Sequence, residues 1–118
     1  MKKKILVIGC GYWGSIIINC IKNLKIFKEI YICEDDNKKI KIIKKRFGSF
    51  VNSIKLNEIT IKKDIKFIYL ATPPSKNLEL LKKIIPLNKN ILLEKPGFSK
   101  LNEFKIIKEK LNKSKSKL

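Results

Sequence analysis

Four apolar residues, Ile5-Leu6-Val7-Ile8, run straight into Gly9-Cys10-Gly11-Tyr12-Trp13-Gly14, and a helical pattern begins on the far side. An unbroken apolar run of this kind is the mark of a strand buried on both faces, as in a parallel sheet. Glycines at this spacing build the turn from such a strand into a helix. Gly9 allows the tight turn, Gly11 lets a pyrophosphate approach the backbone, and Gly14 lets the helix pack closely on the strand. The pyrophosphate would rest on free amides at the helix N-terminus, favoured by the helix dipole. The motif therefore predicts a dinucleotide-binding βαβ unit.

The rest of the chain alternates in the same way. Tyr12–Leu24 reads as a helix with Ile16, Ile17, Cys20, Ile21 and Leu24 along one face. Glu29–Cys33 reads as a strand, Asn37–Phe47 as a helix ended by Gly48, and Phe50-Val51 as a brief strand. Leu56–Ile61 has the pattern of a helical turn, and Phe67–Ala71 is a strand stopped by Pro73-Pro74. Ser75 is the expected N-cap of a helix reaching Ile85, and Ile91–Leu93 is the next strand. Ser99 is the expected cap of a last helix with Leu101, Phe104, Ile107 and Leu111 on its apolar stripe. Such alternation implies an α/β fold: a doubly wound parallel sheet with right-handed crossovers, in one three-layer domain of the Rossmann type. Residues 1–112 form that domain, and the Lys/Ser-rich segment 113–118 is expected to fray.

Ligands of such sheets bind beyond the carboxyl ends of the strands, and three further features fall there. Glu34 ends the second strand, about 20 positions beyond the last motif glycine, the spacing of a carboxylate that meets the adenosine ribose. It would repel a 2′-phosphate, so Glu34, Asp35 and Asp36 favour NAD over NADP, while Lys38 and Lys39 keep NADP open. Asp36 also suits the start of the next helix. Ala71-Thr72-Pro73-Pro74 follows the fourth strand, a turn stiffened by proline. Glu94-Lys95-Pro96 follows the fifth, where a lysine can place positive charge on a substrate oxygen. Read from the residues alone, the Ala71–Pro74 segment is a plain strand-to-helix turn, and Lys95, in so Lys-rich a chain, is one more surface lysine.

Composition narrows the alternatives. The formal charge of +18 invites a nucleic-acid reading, but Arg46 is the only arginine and the lysines spread along the whole chain. Lysine and isoleucine over-used together read as codon bias of an AT-rich genome, and recognition surfaces favour Arg; no specific nucleic-acid partner is expected. The opening Met1-Lys2-Lys3-Lys4 before an apolar stretch and Cys10 imitates a lipoprotein signal. The apolar stretch is shorter than the ~7–15 residues a signal core needs, so a cytoplasmic protein without membrane partner is expected. With no His, and with Cys10, Cys20 and Cys33 forming no CxxC pair, zinc and haem sites of the usual kinds are not expected. The cysteines read as small apolar fillers.

The glycine motif, Glu34, the Ala-Thr-Pro-Pro turn and the Glu-Lys-Pro turn occur in the order and spacing of the N-terminal domain of Gfo/Idh/MocA oxidoreductases, which this chain resembles from Lys3 to about Leu111. The resemblance implies that Gly9, Gly11, Tyr12, Trp13 and Gly14 hold the NAD(P) pyrophosphate and Glu34 the adenosine ribose. It implies that Ala71, Thr72, Pro73, Pro74 and Asn77 line the nicotinamide side, with Glu94, Lys95 and Pro96 beside them, and that Lys95 is the catalytic residue. The Gly-Tyr-Trp-Gly variant is similar to the branch acting on UDP-sugars. Two departures stand out: Asn77 occupies a position where the family usually has His, and the family's C-terminal substrate domain, with its proton-transfer residues, is absent from this chain.

The expected function is thus the cofactor half of an enzyme passing hydride between nicotinamide and a sugar, cyclitol or nucleotide-sugar carbon. Substrate would be met only with a second domain or partner chain, and a homo-oligomer is possible. The alternatives are a stand-alone nucleotide-binding or regulatory module and a truncated, non-catalytic fragment.

Overall fold

Burial along β1 (Lys3–Ile8) alternates between two layers and organises the domain. Leu6 and Ile8 belong to one core cluster, Ile5 and Val7 to the other. A strand sends successive side chains to opposite faces, so a strand covered on both sides must be apolar throughout. The computed structural model describes residues 3–118; Met1 and Lys2, placed in the domain and in a signal-like start by the sequence, lie outside the described residues.

The chain continues through α1 (Tyr12–Leu24), β2 (Phe27–Cys33), α2 (Asn37–Phe47), β3 (Val51–Ser53), β4 (Ile65–Leu70), α3 (Pro74–Ile84), β5 (Asn90–Leu93) and α4 (Leu101–Asn112). The five strands lie in the order β3-β2-β1-β4-β5, all parallel. This is the doubly wound α/β fold that the alternation predicts. Ile18 and Ile21 of α1 and Ile43 and Phe47 of α2 pack on the Ile5/Val7 face. Leu81 and Ile84 of α3 and Ile107 of α4 pack on the Leu6/Ile8 face. Leu6 and Val7 are fully buried, each contributing about 1.5–3 kcal/mol by leaving water.

Several boundaries differ from expectation. β2 starts at Phe27, which pairs with Lys3 of β1 and sets its ring edge-on to Phe67 at 5.9 Å. α3 is entered from Pro73 with Pro74 as its first residue, so Ser75 lies inside the first turn and caps nothing. α4 is entered from Lys100, not Ser99; the Glu103 carboxylate accepts from both amides, at 3.0 Å from Ser99 and 3.3 Å from Lys100. Asp36 does cap α2, accepting from the Lys38 amide at 2.9 Å.

The tail is docked rather than frayed. The Ser114 and Ser116 hydroxyls both donate to the Ile85 carbonyl, at 2.8 and 2.7 Å. The Lys117 carbonyl accepts from the Ile91 amide at 2.7 Å, and the residue bridges Asn90 in parallel. A polar composition concealed this because the bonds are made by hydroxyls and backbone. Lys89 also departs from a solvated lysine surface: it is buried, with Nζ 2.5 Å from the Ile65 carbonyl, and burial lowers its pKa.

Candidate functional site

The turns after β1, β2, β4 and β5 are laced together at one end of the sheet. The Gly9 amide donates to the Cys33 carbonyl at 3.1 Å, the Ala71 amide to Ile8 at 2.8 Å, and the Glu94 amide to Leu70 at 3.0 Å. Gly9 has φ +91°, and a Cβ there would stand 2.7 Å from the Ala71 carbonyl oxygen. Gly14 is needed for another reason: a Cβ would meet the Gly9 oxygen at 2.1 Å. Gly11 is different. Its φ of −70° is open to any residue, and a Cβ would meet nothing within 4 Å. The fold does not require glycine there, and the vacant space lies over the start of α1. That helix begins with no side-chain cap and no acidic residue in its first turn, so its leading amides remain available to an anion.

Glu34 leaves β2 and turns back toward this loop. One carboxylate oxygen accepts from the Cys10 amide at 2.7 Å; the other accepts from Asp35 and Asp36 at 3.0 and 3.1 Å. The carboxylate is thereby fixed in direction while half-buried. A cavity of about 460 Å³ lies beside it, lined by Gly9, Glu34, Lys39, Thr72, Pro73 and Lys76 among others. Its size suits a nucleoside-sized group. A second depression of about 450 Å³, against Ile17, Cys20, Leu24, Phe27, Leu92 and Leu118, is almost wholly apolar and carries none of the motif residues.

On the other side of the glycine loop stands the turn bearing Lys95. The Glu94 carboxylate takes two donors on one oxygen, the Trp13 indole at 2.7 Å and the Tyr69 hydroxyl. These bonds, Tyr69 first, hold the Glu94 carboxyl below its ordinary range; burial, then Glu94, pushes the Tyr69 hydroxyl up to about 12. Lys95 is exposed, its peptide to Pro96 is cis, and its ammonium makes no ion pair or hydrogen bond among the described residues. Asn77 is fully buried: it accepts from the Thr72 hydroxyl at 2.6 Å and donates to the Gly97 carbonyl at 2.7 Å. It has no surface to offer a ligand and instead braces the Ala-Thr-Pro-Pro turn against the Glu-Lys-Pro turn. Tyr12 is exposed at the mouth of the loop.

A model of the oxidoreductase family with an NAD-binding Rossmann fold, Gfo/Idh/MocA, matches residues 3–118. The chain belongs to this family. Among solved structures it is similar to GenD2 from gentamicin A biosynthesis in complex with NAD, at 19% identity and a TM-score of 0.82, with 95% of this chain and 32% of that one covered. It is similar to a myo-inositol dehydrogenase from Corynebacterium glutamicum ATCC 13032, at 19% identity and TM-score 0.81, covering 96% and 34%. It is similar to the WlbA dehydrogenase from Bordetella pertussis in complex with NADH and UDP-GlcNAcA, at 15% identity and TM-score 0.82, covering 98% and 36%. The chain thus spans about a third of the length of these Gfo/Idh/MocA structures. No curated protein matches it. Among the described residues no helix is long and apolar enough to cross a membrane.

Within this Gfo/Idh/MocA domain the sequence reading overlooked Tyr69. The signal was present: a tyrosine in a buried strand needs a partner for its hydroxyl, and the nearest strand end carries Glu94. The cysteines divide. Cys10 is buried and its thiol is pushed up to about 12 by burial; Cys33 is half-buried and pushed up to about 11 for the same first cause. Cys20 is exposed, so it fills no core, and with Leu24 it lies off the buried face of α1, which is Gly14, Ile18 and Ile21. A thiol reagent at neutral pH is expected to label Cys20 at least tenfold faster than Cys10 or Cys33, since the thiolate is the reactive species. Peptide mapping after brief labelling checks it; equal labelling of Cys10 would mean that the glycine loop opens freely.

Proposed function

We propose that this chain binds NAD across the carboxyl ends of β1, β2, β4 and β5, as the cofactor domain of a cytoplasmic Gfo/Idh/MocA dehydrogenase. The observation that carries the reading is Gly11, a glycine that neither its φ nor its neighbours require, beneath open space at an uncapped helix start. A pyrophosphate needs that approach. Glu34, held by three amides, presents its remaining lone pairs to the ribose hydroxyls, and the neighbouring cavity takes the adenosine. Gly9 and Gly14 shape the loop, while Ala71, Thr72 and Pro73 line the middle of the groove.

When bound, the nicotinamide accepts or returns the hydride. The chain's own contribution to chemistry is Lys95, whose unengaged ammonium donates to the substrate oxygen and steadies the charge that develops there. Structurally similar proteins include a myo-inositol dehydrogenase and a dehydrogenase crystallised with UDP-GlcNAcA. A sugar, cyclitol or nucleotide-sugar alcohol is accordingly the substrate class. Most substrate contacts, and the group that exchanges the hydroxyl proton, belong to a further domain or partner chain, because the carboxylate next to Lys95, Glu94, is committed to Trp13 and Tyr69.

The test is the melting temperature of the chain titrated separately with NAD and NADP. Binding to the folded state stabilises by mass action, about 2.7 kcal/mol at a hundred times Kd. A rise with NAD, and a smaller one with NADP because Glu34 and Asp35 repel a 2′-phosphate, is expected. No shift with either removes the cofactor reading; a larger NADP shift would assign Lys39 to the 2′-phosphate.

A further inference from the structure

Glu94 and Lys95 are adjacent and opposite in charge, yet the Glu94 carboxylate is committed to other donors. One of its oxygens holds both the Trp13 indole and the Tyr69 hydroxyl, and the other accepts from the Lys95 amide at 3.3 Å. Tyr69 belongs to β4 and is part of the sheet. Trp13 does not: it is the second residue of α1, in the turn whose amides face the open space over Gly11. Its indole is the hydrogen bond that joins the glycine loop to the lysine turn, across 81 positions of sequence. The far side of that turn is held separately, by Asn77 on the Gly97 carbonyl, and a Cβ at Gly97 would press on Leu93 at 2.7 Å. Lys95 therefore sits between two fixed points, one on the sheet and α3, the other on the helix that would receive the cofactor.

We propose that Trp13 is a positioning residue for Lys95, acting through Glu94 to tie the seat of the cofactor pyrophosphate to the placement of the lysine. The bond keeps the Glu94 carboxylate off the neighbouring ammonium and leaves Lys95 free to meet a substrate oxygen. Coupling of this kind is reciprocal: whatever orders the glycine loop orders the lysine turn, and the reverse. Lys95's role rests on the function proposed above; the linkage between loop and turn does not, and it can be read without cofactor.

Trp13 is the only tryptophan, so its emission reports this one place. The charged and titratable groups facing Glu94 are Tyr69 from β4 and Lys95 of its own turn. Lowering the pH of the unliganded chain is expected to change Trp13 emission as Glu94 protonates, with a midpoint below the ordinary 4.5, while circular dichroism shows the fold intact. Glu94→Gln should abolish that transition. Trp13→Phe keeps an aromatic ring and removes the donor; it should speed amide exchange at Lys95 and Gly97 about tenfold, with Ile68 and Leu70 in β4 unchanged, as local opening without global loss requires. NAD affinity should fall about tenfold in the same variant, what losing one bond to a charged acceptor amounts to. Emission indifferent to acid, or unchanged exchange at Lys95 in Trp13→Phe, would overturn the linkage. If the parent chain fails to bind NAD, the proposed function falls, and emission and exchange still decide the linkage.

Discussion

Gly11→Ala is expected to leave the chain folded and to weaken NAD binding about a hundredfold, whereas Gly14→Ala, three residues away, is expected to cost at least about 3 kcal/mol of stability. The difference lies in what a methyl group would meet. At Gly14 it would stand 2.1 Å from the Gly9 oxygen and 3.0 Å from the Gly9 carbonyl carbon. Both are backbone atoms in a turn fixed by Gly9 at φ +91° and by its bond to Cys33, so neither can swing aside. At Gly11 the methyl meets nothing of the protein. Gly11 begins α1 without a side-chain cap bond, so alanine gives up only the preference for glycine at that position, below about 1 kcal/mol. The methyl does fill the space that a pyrophosphate would occupy, and the bonds it blocks are to a charged group. Thermal melts of both variants with calorimetric NAD titration separate the effects. A Gly11→Ala chain that binds NAD like its parent would place the cofactor elsewhere.

Asn77→Asp is expected to destabilise the domain by about 3 kcal/mol at neutral pH, and by much less near pH 4. The amide is fully buried and its direction is unambiguous: a carbonyl oxygen only accepts, so the nitrogen must face Gly97 and the oxygen must face the Thr72 hydroxyl. An aspartate of nearly the same shape sets a negative oxygen against the Gly97 carbonyl in a site closed to bulk solvent. Burial and that carbonyl both disfavour the charged form, so the folded-state pKa of the new carboxyl is raised above the unfolded value of about 3.9. The sign follows from linkage. A group with a raised folded pKa gives its full contribution below the unfolded value and loses it as pH rises through the folded one. Protonated, the carboxyl can donate to Gly97 much as the amide does. The deficit against the parent chain should therefore shrink on acidification, and denaturant unfolding at two pH values measures it. A deficit independent of pH would mean that the brace contributes packing alone.

The motifs were legible because each is short and local. A buried strand, three glycines and an acid about twenty residues on are written in consecutive stretches of sequence, and the parallel sheet follows from the alternation of strands and helices. What joins the motifs was not legible. The Trp13–Glu94 bond spans 81 positions, Asn77 reaches Gly97 across 20, and Ser116 reaches Ile85 across 31. No periodicity encodes such pairs; they arise from the placement of strand ends side by side. Asn77 shows the consequence most plainly. Resemblance placed it against the cofactor, whereas it is buried and bonded to Thr72 and Gly97, a support between the two turns. Cys20 and Leu24 misled for the opposite reason: their helical spacing is apolar, but α1 buries the neighbouring stripe through Ile18 and Ile21.

The central position of β1 also bears on how the molecule is made. It leaves the ribosome before the other four strands and pairs with β2 soon after, but its other edge waits for β4, where Ile5 meets Phe67. During that interval the nascent chain carries a strand that is apolar from Ile5 to Ile8 with one edge unpaired, and synthesis at about 5–20 residues per second leaves it so for seconds. An open apolar edge is a template for a neighbouring chain on the same message. The strand that anchors the finished domain is thus its most vulnerable segment during birth, and a holding chaperone would have its greatest effect on yield before Leu70 emerges.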